Sequence, residues 1–147
     1  MKRKITVLTL CSLLLAPCPS AHAQQAGKVP RIGFLDNSTA SGTAVLLEPF
    51  RQDLSKLGWS EGKNITIEYR FAEQKPERLP ELAADLVRLK VDLIVVAGIG
   101  AAFAAKSATA TIPIVIAAAP DPVGLGLVAS LSRPGGNVTG LASLNTE

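Results

Sequence analysis

Past residue 23 the chain contains no cysteine and no histidine, since Cys11, Cys18 and His22 all lie at its amino-terminal end. A Ser-His-Asp triad, a Cys-His pair and an ordinary zinc site each need an imidazole or a thiolate, so these chemistries are excluded from everything downstream. The same absence excludes a disulfide framework there. Charge of one sign is lacking as well. Three of the 15 basic residues, Lys2, Arg3 and Lys4, precede residue 23 and all 12 acidic residues follow it, so the remainder is balanced. Both signs are interspersed, with no basic stripe of the kind that tracks phosphates, and no nucleic acid is expected as a partner.

Long apolar runs are scarce. The stretch from Ile5 to Leu15 is 11 residues, and at about 1.5 Å per residue it falls well short of the roughly 30 Å needed to span a bilayer. Preceded by Lys2 to Lys4 and followed by Ala21-His22-Ala23, it has the three regions of a cleaved secretory signal. Residues 1–23 are therefore read as a signal peptide, with Gln24 the first residue after cleavage and the product exported to the periplasm. A minor alternative is anchoring by lipid through Cys18, because Leu15-Ala16-Pro17-Cys18 approaches a lipoprotein signal, although Pro17 stands where such signals want a small residue. Residues 24–147 then form one domain of roughly 120 residues, enough to hold a core without metal or disulfide support.

Along that domain the apolar pattern alternates between strand-like and helix-like periods. Arg31 to Leu35 is a short apolar run stopped by Asp36-Asn37-Ser38-Thr39. Leu46, Leu47, Phe50, Leu54 and Leu57 recur at helical spacing, and Pro49 implies that the helix begins near it or kinks there. Ile65, Ile67 and Tyr69 alternate with Thr66, Glu68 and Arg70, as in a half-exposed strand whose outer charges suit a sheet edge. Pro80 can open a second helix carrying Leu79, Leu82, Ala83, Leu86 and Leu89 on one face. Leu93 to Ala97 and Ile112 to Ala117 are continuous β-branched runs, as in strands covered on both faces, and an alanine-rich helix near Ala101 to Ala108 links them. A further helical turn or two from Val123 to Leu131 and a last strand from Val138 to Leu141 complete the pattern. The expected fold is α/β: an open parallel sheet of strand order 2-1-3-4-5, with helices on both faces and right-handed crossovers.

In such sheets ligands bind beyond the carboxyl ends of the strands, near the reversal of strand order. Three loops qualify: Asp36 to Ser41, Gly98 to Ala101 and Ala118 to Pro122. Their backbone donors near helix starts suit an anionic group such as a carboxylate. The candidate ligand-binding residues are Asn37, Ser38, Thr39, Gly98, Gly100, Ala101, Ala119 and Asp121. The same residue types populate any strand-to-helix turn, so the three loops together carry more than any one member.

Gly98-Ile99-Gly100, followed 21 residues later by Asp121, imitates a dinucleotide-binding fingerprint. The third small residue of that fingerprint is replaced by Phe103, a bulky group where helix and strand should pack closely. No cofactor and no catalytic residue is expected; Glu68 with Glu73, or Asp36 with Asp121, read as solvated charges.

Several segments, in order, carry a family resemblance: Arg31-Ile32-Gly33-Phe34-Leu35, Phe50-Arg51-Gln52-Asp53-Leu54, Leu57 to Ile65, Ile67-Glu68-Tyr69-Arg70, Asp121-Pro122-Val123, and above all Arg133-Pro134-Gly135-Gly136-Asn137-Val138-Thr139-Gly140. The chain resembles the ABC transporter substrate-binding proteins of the type I periplasmic-binding fold. The resemblance implies a two-lobed, monomeric receptor that closes on a small polar, amino-acid-like ligand and presents it to the permease subunits of an ABC importer in the membrane. Members of that family are about twice this long, so the chain is expected to hold the first lobe, with the second absent. Gly98 to Ala102 departs from a stretch usually richer in glycine and carrying a proline. A ligand-sensing receptor for signalling is the alternative on the same fold, and a dinucleotide-dependent enzyme a more distant one.

Overall fold

The computed structural model describes residues 28–143, so the signal reading and Cys18 lie outside the described residues. The elements are β1 (Arg31–Asp36), α1 (Ala40–Lys56), β2 (Thr66–Phe71), a short 3-10 turn (Pro76–Arg78), α2 (Leu79–Arg88), β3 (Leu93–Ala97), α3 (Ile99–Ala108), β4 (Ile114–Pro120) and β5 (Val138–Ser143). All five strands run parallel in the order β2-β1-β3-β4-β5, as the apolar patterns imply.

The continuous runs became interior strands because both their faces are covered. On one face Leu35, Ile94, Val96, Ile114 and Ile116 pack against Leu79, Ala83 and Leu86 of α2 and Ala101, Ala102 and Ala105 of α3. Leu86 is fully buried, a burial that stabilises by about 1.5–3 kcal/mol. On the other face Ile32, Phe34, Ile65, Ile67, Val95 and Ala97 meet Leu47 of α1, with Phe50 and Leu54 at the margin. Gly33 lets α2 approach β1, since a Cβ there would meet Leu86 Cδ1 at 2.9 Å. Strand β2 is the edge its alternation predicts, and Arg70 on its outer side bonds Asp85 of α2 at 2.7 Å.

Three local readings are corrected. Helix α1 begins at Ala40, well before Pro49, because Thr39 caps it: the Thr39 hydroxyl accepts the Gly42 N–H at 3.0 Å, a contact worth about 1 kcal/mol. Pro49 lies inside the helix and cannot donate to the Val45 carbonyl, and Val45 is exposed, so water can satisfy that oxygen. Within the apolar pattern of α1, Leu47 is buried whereas Leu46 and Leu57 are exposed. Finally, Val123 to Leu131 forms successive turns and no regular helix, with Gly126 at φ +70° bending the chain away from helical geometry.

Candidate ligand-binding edge

Because β1, β3 and β4 are parallel neighbours, their carboxyl ends open at one edge of the sheet, with Asp36 and Ala97 level in register. That edge gathers the three loops named from sequence. Asn37, Ser38 and Thr39 follow β1 and are partly exposed; Gly98 and Gly100 follow β3 and are exposed; Asp121 follows β4 and is exposed. Ala101 and Ala119 stand at the same edge, but both are buried in the core beneath it, so their side chains support the loops from below.

Each loop is shaped by local chemistry. Gly98 sits at φ +87° and ψ 158°, a conformation essentially confined to glycine, which turns β3 into α3. No side chain caps α3, so its first-turn N–H groups stand at this edge as donors suited to a carboxylate. Asp121, at φ +39°, spends Oδ1 on the Gly124 N–H at 2.9 Å and so shapes its own turn.

The loop after β1 is the most constrained, through residues outside the predicted set. Asp36 is not the solvated charge expected from sequence but is buried; its Oδ1 accepts the Ser38 N–H at 3.2 Å and its Oδ2 accepts the Thr43 hydroxyl at 2.5 Å. The carbonyls of Asp36, Asn37 and Ser38 accept N–H groups from Ala72, Gln74 and Glu73 at 2.9, 2.6 and 3.1 Å. Asn37 Oδ1 is buried without a hydrogen-bond partner among the described residues. Thr43 carried a faint signal as a polar residue one turn after the cap; the backbone of Ala72 to Gln74 carried none.

Phe103 is 41% exposed, and α3 packs through Ala101, Ala102 and Ala105, so bulk at that position does not stand between helix and sheet. The steric argument drawn from Phe103 therefore does not hold. Carboxylates with shifted titration lie away from this edge. Asp85 on α2 is held below the usual range by hydrogen bonds from Arg70 and then Arg88; Asp92, at the opposite edge before β3, is held down by Lys28 and then by the Arg31 N–H. Among the described residues no group of three or more His, Cys, Asp or Glu comes together to hold a metal, and no helix is long and apolar enough to cross a membrane.

The open parallel sheet with helices on both faces is consistent with one lobe of a periplasmic-binding-type protein. The family described as ABC transporter substrate binding protein matches residues 41–147, and the chain belongs to it. It is 41% identical over 91 residues to a tyrosine-binding protein of Clostridioides difficile strain R20291, covering 62% of this chain and 26% of that protein. A conserved domain protein from Vibrio cholerae O1 biovar El Tor superposes with a TM-score of 0.75 at 34% identity, covering 81% of this chain and 40% of that one. A Streptococcus pneumoniae ABC domain in complex with L-Trp superposes with a TM-score of 0.72 at 29% identity, covering 78% and 39%. The chain thus spans about a quarter of the curated relative and about two fifths of the solved structures.

Proposed function

We propose that this chain is the ligand-binding lobe of an extracytoplasmic substrate-binding protein that takes up an amino acid, with an aromatic side chain favoured, and delivers it to the permease of an ABC importer. The observation that carries this reading is the convergence of the β1, β3 and β4 loops at one open edge in a member of a substrate-binding family. The names of two relatives, one tyrosine-binding and one holding L-Trp, support the aromatic class.

In this reading the α3 N-terminus and the β1 loop receive the ligand carboxylate. A second lobe supplies the opposing wall, and hinge opening releases the ligand without any chemical change to it. Asn37, Ser38, Thr39, Gly98, Gly100 and Asp121 line this wall, backed by Ala101 and Ala119. The protein works in the periplasm after losing residues 1–23.

Calorimetric titration with L-tyrosine, L-tryptophan, L-leucine and L-glutamate tests it. Heat of binding with the aromatic pair and at least about tenfold weaker binding of the others is expected. Equal response to all four, or no heat from any of them at millimolar ligand, contradicts it.

A further inference from the structure

We propose that Asp36, Thr43 and the segment Ala72 to Gln74 are positioning residues for the ligand: they lock the β1 loop so that Asn37 and Ser38 present one fixed surface to the cleft. The inference rests on the cleft reading above and adds what governs affinity within it.

Two independent observations carry it. From below, one buried carboxylate ties both ends of the loop. Asp36 Oδ1 holds the Ser38 N–H and Oδ2 holds the Thr43 hydroxyl, itself also 3.0 Å from the Thr39 carbonyl. Thr43 is 1% exposed, so neither water nor a mobile side chain replaces it. From the side, three consecutive carbonyls, those of Asp36, Asn37 and Ser38, are each taken by an N–H from Ala72 to Gln74.

The second clamp has a conformational signature. Glu73 and Gln74 are successive non-glycine residues at φ +57° and +61°. Such backbone persists only where surrounding contacts over-determine it. Here both N–H groups of the pair are aimed at the loop, so the left-handed turn exists where the bonds to Ser38 and Asn37 are made. With its carbonyls so occupied and the Thr39 hydroxyl committed to the Gly42 N–H, the loop is left to offer the cleft the Ser38 hydroxyl and the N–H groups of Ala40 and Ser41, which match an anionic group. Rigidity fixed before binding removes an ordering cost that would otherwise weaken affinity.

The test measures L-tyrosine affinity by 15N-HSQC titration of the chain and of Thr43→Val, Thr43→Ser and Asp36→Asn. Thr43→Val keeps shape and loses the hydroxyl; it is expected to weaken binding about tenfold, with Thr43→Ser within about twofold of the parent. Asp36→Asn, which cannot accept both bonds, should weaken binding as Thr43→Val does, and serves where Thr43→Val does not fold. Melting temperature is recorded alongside, because a purely structural role lowers it without moving the dissociation constant. Parent binding with unchanged affinity in Thr43→Val or Asp36→Asn overturns the positioning role alone. No binding by the parent overturns the cleft reading and this inference together.

Discussion

The Arg70 guanidinium donates to the Asp85 carboxylate at 2.7 Å and thereby fastens the edge strand β2 to α2. The Asp85 carboxyl is held below its ordinary value of 3.8, first by Arg70 and then by Arg88. A depressed folded value means that the group stabilises the fold above the unfolded value, and that this contribution is lost as pH falls through the folded one. Asp85→Asn should therefore melt below the parent near neutral pH, and the gap should close as pH falls from the ordinary carboxylate range through the depressed folded value. A gap that persists in acid would show that the pair acts through packing alone.

Gly98 occupies backbone that a side chain strains, at φ +87°. Gly98→Ala is expected to cost about 1–3 kcal/mol. Urea denaturation of the two forms measures it, and an unchanged midpoint would mean that the turn from β3 into α3 relaxes freely.

Gly33 and Leu86 form a matched pair across β1 and α2, a Cβ at 33 falling 2.9 Å from Leu86 Cδ1. Gly33→Ala should cost about 1–3 kcal/mol by overpacking, and Leu86→Ala about 2–5 kcal/mol by leaving a cavity. Together they should cost less than the sum by about 0.5–3 kcal/mol. Additive behaviour in a denaturation cycle would contradict this contact.

Neighbouring leucines of α1 separate by burial, Leu47 at 5% exposure and Leu46 at 57%. Leu47→Ala should destabilise by about 2–5 kcal/mol, while Leu46→Gln should stay within about 0.5 kcal/mol. Thermal melts of the two variants decide it; a larger loss at Leu46 would mean that this face of α1 is covered.

The sheet was legible because its strands differ in burial. Ile94 to Val96 and Ile114 to Ile116 are apolar without interruption, whereas Ile65 to Arg70 alternates, and that contrast orders edge and interior. Helix α1 was legible only in its second half, since its first turns bury a threonine, Thr43, and expose Val45 and Leu46. The turns after Asp121 read as helix because Val123, Leu127 and Leu131 share helical spacing, but Gly126 at φ +70° breaks it. Phe103 misled because spacing along α3 says nothing about which side faces the sheet. At the candidate site, the loops followed from strand ends. The lock on the β1 loop did not, because Ala72 to Gln74 act through backbone N–H groups some 36 residues away, and no glycine marks the left-handed pair Glu73 and Gln74.

The ligand is expected at the carboxyl edge of the sheet, and amide chemical-shift mapping locates it. With L-tyrosine or L-tryptophan added to millimolar concentration, the largest changes are expected at Asn37, Ser38, Thr39, Gly98, Gly100 and Asp121, at the carboxyl edge of β1, β3 and β4. Changes centred instead at the opposite edge, around Lys28, Arg31 and Asp92, or no change with either amino acid, would contradict it.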